Sequence, residues 1–478
     1  MTNRKKYFHM FLLGFSSIIA SAPIYIFVVM FGIFTILYMR ISHAHDWKFA
    51  FKKGLAFGFG YYLANTYWIA LSLFEDMRFI VLLPLALTII PLYFASFLAA
   101  CMALHRFLYS KIHNHVLQIA TFALLWILHE KLRAHLIFPF PWWPIGMTLS
   151  DIDAWVQPLG IISIYFFGFF VVLLYLLPVF VMQKIQTWQR FCAIFFILAI
   201  HGIFITYGYL QLNRREITEL PFNISMVQTN LTQFEKWKDA RAGMEKHYNF
   251  TNLALKSNTN NKPNLVIWAE TSVPYFIDKS SVKAHISSVN SSMEEFLSSD
   301  AIYNSDEYFA LISSLLGEGD KVIFGAVGVD GEDHTNSAFL LEKTQISQRY
   351  NKINLVPFGE YVPLLPIKIG FLPGFSPGKE RQIWEIAGMR VIPLICYEVL
   401  FDKNLKKLHP NLIVNISNDG WFGNSIGPHQ HLAHAKISAI RNGVPLIRVA
   451  NTGISAIFDK RGRILQKIDR KVEGFRNY

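Results

Sequence analysis

The stretch VIPLICYEVLF, residues 391–401, places Cys396 directly after a run of apolar, strand-forming residues. Two other stretches combine an apolar run with a chemically active side chain. VIWAETSVPYF (266–276) carries Glu270, and RYNKINLVPFGE (349–360) carries Lys352. A thiol, a carboxylate and an ammonium brought together can act as nucleophile, base and oxyanion stabiliser for acyl transfer. The sequence therefore nominates Cys396, Glu270 and Lys352 as a catalytic set.

The region around these stretches alternates short apolar segments with polar or helical ones. Strands are predicted at 223–230, 265–270, 321–329, 338–342, 391–398, 412–419 and, as a pair, within 445–459; helices are predicted at 236–255, near 304–316 and at 431–443. Buried strands interleaved with helices are typical of a layered α/β domain. Glu270 and Cys396 then fall at strand ends, where such sheets present functional groups. The Ser-rich segment 278–306 is predicted to be a surface insertion, either a mobile loop or a lid over a lipid-facing entrance.

The first part of the chain, residues 1–210, has a different composition. A membrane span needs about 20 mainly apolar residues, and about seven segments meet this criterion: 7–22, 23–39, 54–74, 79–104, 115–137, 155–183 and 190–210. The first two can also be read as one kinked element or as a cleavable signal peptide, although no polar mature start follows them. We predict a multi-span α-helical membrane domain over 1–210 and a soluble domain over 211–478.

The distribution of Lys and Arg between these spans predicts their orientation. With a cytoplasmic N-terminus, the inner segments carry Arg4, Lys5, Lys6, Arg40, Lys48, Lys52, Lys53, Arg106, Lys111, Lys184 and Arg190, whereas the outer ones carry only Arg78, Lys131 and Arg133. This asymmetry predicts that the soluble domain lies on the outer face. The net charge of +12 is then explained by topology-setting loops and by anionic lipid head groups, which argues against nucleic-acid binding.

The cysteines support a chemical role for one of them. The chain has three, and Cys101 and Cys192 fall inside predicted spans. Neither is therefore placed to pair with Cys396 in an outer domain. Because an oxidising compartment penalises an unused thiol, this favours a functional Cys396.

The three stretches, WAETSVPY, YNKINLVPFGEYVP and ICYEVLF, resemble the nitrilase superfamily, whose catalytic set is Glu, Lys and Cys. With a multi-span first half, the chain is similar to the apolipoprotein N-acyltransferases, the membrane branch of that superfamily. The resemblance extends to FGYYLANTYWI (59–69), FPWWPIG (140–146), VQTNLTQFEKW (227–237), NISNDGWFG (415–423) and HLAHAKISAIRNGVPLIRVANTG (431–453). It implies an αββα sandwich for the soluble domain.

The resemblance also implies supporting residues. Glu360 matches a second carboxylate that supports the lysine, and Tyr397 and Glu398 match positions implicated in positioning. Trp237 matches a residue near the active-site opening that helps to hold a substrate. Members of the family usually carry another transmembrane helix after the soluble domain, whereas this sequence stops at RILQKIDRKVEGFRNY (463–478). A shortened form and a lineage that lacks the final span are the two interpretations of this difference.

Other sequence features have simpler interpretations. His429, His431 and His434 have plausible ligand spacing, but no acidic or thiol ligand accompanies them and nitrilase chemistry needs no metal; we predict no metal and no cofactor, and place His431 and Lys436 at a helix start. Trp142 and Trp143 are predicted to be interface anchors, and a role in the lipid path is the alternative.

The function expected from the resemblance is a two-step acyl transfer at the outer, periplasmic face of a bacterial inner membrane. A phospholipid donates an acyl chain to Cys396, and the N-terminal amine of a diacylated apolipoprotein then accepts it. A membrane-tethered nitrilase-type amidase that hydrolyses small amides is the alternative, and a non-enzymatic carrier with a remnant site is a third possibility. The predicted spans exceed what tethering alone requires, and this favours the transferase.

Overall fold

The computed structural model describes residues 3–75, 77–214, 220–258, 260–274, 276–278, 305–343, 345–361, 374–402 and 405–478. The chain divides into two compact units. The first, a helical unit, contains residues 1–215 together with 422–433, and the second, a β-sheet unit, contains residues 216–421 together with 434–478.

The helical unit is built from helices of very different length. Its α-helices are α1 (Asn3–Phe15), α2 (Val29–Ser42), α3 (Trp47–Thr66), α4 (Trp68–Leu71), α5 (Leu83–Tyr109), α6 (His115–His135), α7 (Asp153–Val156), α8 (Ile164–Tyr175), α9 (Leu177–Met182) and α10 (Thr187–Leu212). Short 3-10 helices cover Ser16–Ala20, Ser72–Glu75, Met77–Leu82, Ile145–Leu149 and Gln157–Gly160. Side-chain caps begin α3 and α6, where Asp46 and Asn114 accept hydrogen bonds from orphan backbone N–H groups.

The structure divides some of the predicted spans. The segment 155–183 is interrupted because Pro158 and Pro178, which lack a backbone donor, each begin a new helical piece. The segments 7–22 and 23–39 contain separate helices, since the first helical stretch ends at Ala20 and α2 begins at Val29.

Two helical stretches within the described ranges are long and apolar enough to cross a membrane. They are Met77–Tyr109 and Thr187–Leu212, and α2 and α8 are shorter apolar helices. Length and composition alone select them. The expectation of about seven spans therefore stays a prediction for all of these helices.

Helices α1 and α3 approach each other closely because glycine lies on both contact surfaces. A Cβ on Gly14 would lie 2.0 Å from the carbonyl oxygen of Phe57, and one on Gly60 would lie 2.1 Å from that of Phe11. Any side chain at either glycine would push the helices apart. Packing thus accounts for Gly60 in the FGYYLANTYWI motif.

Trp142 and Trp143 are buried inside the helical unit, so the prediction that they anchor the membrane interface is wrong. The indole Nε1 of Trp142 donates to Gln430 Oε1 at 2.7 Å, and that of Trp68 donates to the same oxygen at 3.1 Å. Gln430 Nε2 in turn donates to Ser21 Oγ at 2.8 Å. These bonds supply the polar partners that buried indoles require, and they hold the late segment 422–433 within the helical unit.

The second unit contains two β-sheets and their connecting helices. Its strands are β1 (Asn223–Gln228), β2 (Asn264–Ile267), β3 (Phe276–Asp278), β4 (Lys321–Asp330), β5 (Asp333–Leu341), β6 (Ile346–Asn351), β7 (Trp384–Ile386), β8 (Met389–Ile395), β9 (Leu412–Ser417), β10 (Leu446–Ala450), β11 (Ser455–Phe458), β12 (Ile464–Ile468) and β13 (Gly474–Asn477). The helices are α11 (Gln233–Lys238), α12 (Ala240–Ser257), α13 (Ser305–Leu315) and α14 (Gly427–Asn442), the last of which is shared with the helical unit.

The two sheets are mixed and pack face to face. The first has the order β13-β1-β2-β4-β5-β6, with β3 paired to β4, and the second has the order β12-β11-β10-β9-β8-β7. Within them, β1, β2 and β4 are parallel, as are β8, β9 and β10. One apolar core contains residues of both sheets, including Ile224, Leu265 and Ile323 from the first and Val391, Leu412 and Ile447 from the second.

Helices cover the outer face of the first sheet. A second core joins Met244 of α12 and Ile312 of α13 to Val266 and Phe324 of that sheet. On the second sheet, α14 connects the parallel strands β9 and β10, and such a crossover must lie on a sheet face. Because the inner face is occupied by the first sheet, α14 belongs on the outer one. These layers agree with the predicted nitrilase-like sandwich.

Some elements were not predicted from the sequence. Strands β6, β12 and β13 contain polar residues and were missed because backbone pairing with neighbours, more than apolar composition, defines them. Helix α14 begins at Gly427, so His431 and Lys436 lie within the helix and the prediction that they stand at its start is wrong. Nearly all of the predicted insertion at 278–306, including residues 279–304, lies outside the described residues.

Substitution of His247 is expected to flatten the acid dependence of stability. The side chain is buried on α12, donates Nδ1–H to the Gly243 carbonyl at 2.8 Å and contacts the ring of Trp268. Burial, the largest cause, lowers the pKa of His247 to about 4. The unfolded chain therefore binds more protons between pH ~6.5 and pH ~4, and the free energy of unfolding falls by up to about 3 kcal/mol across this window.

The measurement compares thermal unfolding midpoints of the wild type and His247→Phe between pH 4 and pH 7. The variant should lose less stability on acidification, because phenylalanine has no proton to take up. Equal slopes in the two proteins would contradict the prediction.

Candidate active site

Cys396 stands at a sharp turn between a strand and a helix. Strand β8 ends at Ile395, and a 3-10 helix, Cys396–Phe401, begins at the cysteine itself. The φ angle of Cys396 is 51°, in the left-handed region that non-glycine residues adopt at a cost of about 1–3 kcal/mol. The same strand–turn–helix arrangement carries the nucleophile of α/β-hydrolases. The backbone thus presents the thiol at the end of a parallel strand.

Glu270 and Lys352 meet in the interior of this unit. Glu270 follows β2, Lys352 follows β6, and both side chains are buried. The ammonium nitrogen of Lys352 lies 3.3 Å from Glu270 Oε1 and 2.9 Å from Glu360 Oε1. Two carboxylates, Glu270 and Glu360, therefore share one buried ammonium.

Asn336 links the same two carboxylates and was missed by the sequence analysis. Its Nδ2 donates to Glu270 Oε1 at 2.7 Å and to Glu360 Oε1 at 2.6 Å, and its carbonyl accepts the backbone N–H of Lys352 at 2.8 Å. Both contacts require the amide nitrogen, because the amide oxygen would repel the carboxylates. Asn336 lies in the polar run DHTNS (333–337) just before the predicted strand at 338–342, and nothing in that run distinguishes it from its neighbours.

Glu360 also organises the loop that carries it. Its second oxygen, Oε2, accepts the backbone N–H of Val356 at 2.7 Å. The carboxylate therefore ties the loop after Lys352 back onto the lysine. Residues 362–373, which continue this loop, lie outside the described residues.

The charges act on the thiol as well as on one another. Burial opposes the charged form of Lys352, but Glu270, Glu360 and Cys396 outweigh it and raise its pKa, so the ammonium persists. Burial, followed by the charge of Glu270, raises the pKa of Cys396, while Lys352 and the backbone N–H of Asn418 act in the opposite direction. The resting thiol is consequently protonated, and attack requires a base to remove that proton.

Glu398 fastens the cysteine turn to the lysine segment. Its carboxylate is fully buried and accepts hydrogen bonds from Tyr350 Oη at 2.8 and 2.9 Å, from Ile353 N at 2.9 Å and from Ile395 N at 2.9 Å. Arg381 lies 3.1 Å from it and balances its charge. One carboxylate thus connects the end of β6, the loop after Lys352 and the end of β8. It holds these three segments in fixed relative positions.

Tyr397 and Trp237, the other two predicted residues, lie on short helical segments. Tyr397 is buried beside Cys396, and its ring lies 4.9 Å from that of Phe401. Trp237 belongs to α11, a helix begun by a capping box between Thr232 and Glu235. The side chain of Trp237 lies outside the described part of the chain.

Replacement of Asn336 by leucine is expected to slow the acylation of Cys396 about 10- to 100-fold, because hydrogen bonds to charged groups contribute about 1.5–3 kcal/mol. The leucine keeps a similar volume but leaves Glu270 and Glu360 without their shared donor. The burst of p-nitrophenol from an activated acyl ester, followed in rapid-mixing experiments, measures the rate. Asn223→Leu, at the opposite end of the parallel strands, is the matched control. An undiminished burst in Asn336→Leu would contradict the inference that acylation depends on the hydrogen bonds from Asn336 to Glu270 and Glu360.

Comparison with known proteins gives matches across both units. Residues 13–177 match the family described as apolipoprotein N-acyltransferase N-terminal domain, and residues 223–475 match the carbon-nitrogen hydrolase family. Among solved structures, a CN-hydrolase superfamily protein from Xanthomonas campestris is 18% identical, with a TM-score of 0.38, and the alignment covers 54% of this chain and 89% of that chain.

Two bacterial proteins align over nearly the whole chain. The apolipoprotein N-acyltransferase of Rickettsia bellii is 30% identical over 472 residues, covering 96% of this chain and 88% of the relative. That of Allorhizobium ampelinum is also 30% identical, covering 96% and 87%. The matched regions and these relatives show that the chain belongs to the apolipoprotein N-acyltransferase family.

Proposed function

We propose that this protein N-acylates apolipoproteins by moving an acyl chain from a phospholipid, through a thioester on Cys396, to the amine of an N-terminal diacylglyceryl-cysteine. The observation that carries the proposal is the buried cluster in which Glu270 and Glu360 share the ammonium of Lys352. The charge of Lys352 also favours the thiolate form of Cys396. Family membership supplies the nature of the acceptor.

In the first half-reaction, Cys396 Sγ attacks the carbonyl carbon of a phospholipid ester. Glu270 takes the thiol proton as the carbon–sulfur bond forms. The carbon–oxygen ester bond then breaks, and Glu270 returns the proton to the leaving oxygen, which releases a lysophospholipid. Because the resting thiol is protonated, this transfer to Glu270 coincides with attack.

In the second half-reaction, the neutral amine of the lipoprotein cysteine attacks the thioester carbon. Glu270 accepts a proton from the amine, the carbon–sulfur bond breaks, and the proton passes to Cys396 Sγ. An amide is formed and the free thiol is regenerated. One carboxylate therefore serves as base and acid in both halves.

The oxyanion formed in each half-reaction needs fixed positive partners. Lys352 supplies a permanent ammonium, and the backbone N–H groups of Tyr397 and Glu398, at the start of the 3-10 helix, are the proposed additional donors. Such donors each contribute a few kcal/mol when they are preorganised in a water-poor site. In this scheme Glu360 fixes the lysine, whereas the Glu398 carboxylate positions the turn.

The membrane setting follows from the composition of the first half of the chain. We propose that residues 1–210 form a multi-pass domain of about seven helices in the bacterial inner membrane and that residues 211–478 form a periplasmic catalytic domain. The two long apolar helices and the clustering of Lys and Arg in alternate loops support this topology. Trp237 is proposed to contact substrate near the active-site opening.

A membrane-tethered amidase would use the same triad, with water taking the place of the amine. The two functions differ in the fate of the thioester. A stable acyl-enzyme that awaits an amine indicates a transferase, whereas rapid loss of the acyl group to water indicates a hydrolase.

Incubation of the purified full-length protein with phospholipid is expected to add the mass of one acyl chain to the Cys396 peptide. Addition of a diacylated lipopeptide should then remove the adduct and yield a triacylated product. Intact-protein and peptide mass spectrometry follow both steps. Cys396→Ser should fold normally without turnover, and Cys192→Ser, an exposed cysteine on α10, should behave as wild type. Acyl-enzyme that decays without transfer to the amine would overturn the transferase proposal.

Removal of the proposed base is expected to make acylation strongly pH-dependent. In Glu270→Gln, only molecules whose thiol has already ionised can attack, and the pKa of Cys396 is raised by burial. The acylation rate should therefore be far below wild type at pH 7 and should increase as the pH rises towards 9, because the thiolate fraction increases. Rapid-quench measurements at several pH values test this. A variant with the wild-type rate at pH 7 would show that Glu270 is not the base.

A further inference from the structure

A fully buried guanidinium lies behind the cluster and takes no part in the proposed chemistry. Arg448 is on β10 and has no solvent-exposed surface. Its Nη2 donates to both oxygens of Asp419, at 2.8 and 2.7 Å. Its Nη1 donates to Asn415 Oδ1 at 2.9 Å and to Ser417 Oγ at 2.8 Å. Three side chains on and just after β9 are thus held by one cation.

Two of these partners continue to the groups proposed to react. Asn415 Nδ2 donates to the carbonyl oxygen of Cys396 at 3.2 Å, which fixes the strained turn from its backbone side. The carbonyl of Ser417 accepts the backbone N–H of Glu270 at 3.3 Å. Arg448 is therefore linked to Cys396 through Asn415 and to Glu270 through Ser417, in each case by two successive hydrogen bonds.

The third partner borders the thiol itself. Asp419 follows Asn418, whose backbone N–H is hydrogen-bonded to the Cys396 thiol. The carboxylate of Asp419 is confined, because a Cβ on Gly453 would lie 2.3 Å from its Oδ2. The fork from Arg448 and this tight contact together fix the 418–419 turn and hence the direction of the Asn418 N–H.

Only arginine among the side chains has enough donors for all four of these hydrogen bonds, since a lysine ammonium has three. The planar group of arginine presents a rigid fork, whereas a lysine ammonium is a single point charge. The positive charge also balances Asp419, whose negative charge otherwise disfavours the thiolate of Cys396.

We propose that Arg448, acting with Asp419, is a positioning residue for acyl transfer that holds Cys396, Glu270 and the Asn418 N–H in reacting geometry. The pair contacts neither donor nor acceptor. This role rests on the proposed use of Cys396 as nucleophile.

The test uses full-length Arg448→Met and Arg448→Lys in detergent, with Arg463→Met as a matched control. Arg463 forms an ion pair with Asp459 in the same unit, at 2.6 Å. Each protein is assayed for thermal midpoint, for kcat and KM of acyl-enzyme formation from phospholipid, and for the pH dependence of iodoacetamide labelling at the Cys396 peptide. The labelling needs no lipid substrate, so it reports on positioning even if the proposed acyl transfer fails.

Arg448→Met is expected to lower kcat about 100-fold with KM little changed, the effect of a small misplacement of reacting groups. Its labelling midpoint should move to higher pH, because Asp419 is no longer balanced. Arg448→Lys should keep the wild-type labelling midpoint but lose about tenfold in kcat, since it keeps the charge and loses the fork. Arg463→Met should match wild type.

The lysine variant decides the question if Arg448→Met fails to fold. A folded Arg448→Lys with wild-type kcat would overturn the proposal, as would a loss of activity in Arg463→Met equal to that in the Arg448 variants. Absence of any acyl-enzyme in the wild type would instead refute the proposed function, while a labelling midpoint raised in Arg448→Met and unchanged in Arg448→Lys would still support the positioning role.

Discussion

The arrangement of the site depends on keeping a buried ammonium charged. Lys352 can remain an ammonium away from water only because Glu270 and Glu360 approach it from different parts of the chain. Removing the ammonium would leave two carboxylates uncompensated in a region of low polarity, where an unpaired charge is energetically costly. This requirement draws together the end of β2, the end of β6 and the loop after it. The thiol then stands beside a cluster whose charges are already fixed before substrate arrives.

Around this cluster, buried polar side chains hold neighbouring segments in place through hydrogen bonds. Asn336 spans the two carboxylates, Glu398 fastens the cysteine turn to the lysine segment, and Arg448 holds the strand next to β8. Each of these side chains bonds several backbone or side-chain groups at once, which offsets part of the cost of burying it. A site supported in this way can hold a cysteine at positive φ without relaxing to an ordinary turn.

In the helical unit, neutral side chains form a comparable set of buried hydrogen bonds. Gln430 supplies the acceptor for the indoles of Trp68 and Trp142 and donates to Ser21. A segment that follows the NISNDGWFG motif is therefore held among helices formed by the first part of the chain. Sequence reasoning placed Trp142 at an interface because tryptophan favours such positions in membrane proteins. It could not anticipate a partner located far along the chain.

The sequence by itself determined the division into an apolar helical part and an α/β part, the main buried strands, and the candidates Glu270, Lys352, Glu360 and Cys396. Those features are local, because strand periodicity, the length of apolar runs and motif composition are properties of neighbouring residues. Only the tertiary structure decided which polar residues meet. Asn336 and Arg448 gain their roles from partners on other strands, and the short polar strands exist only through pairing. The physical reason is that hydrogen bonds and charge compensation depend on distances in space, which sequence separation does not specify.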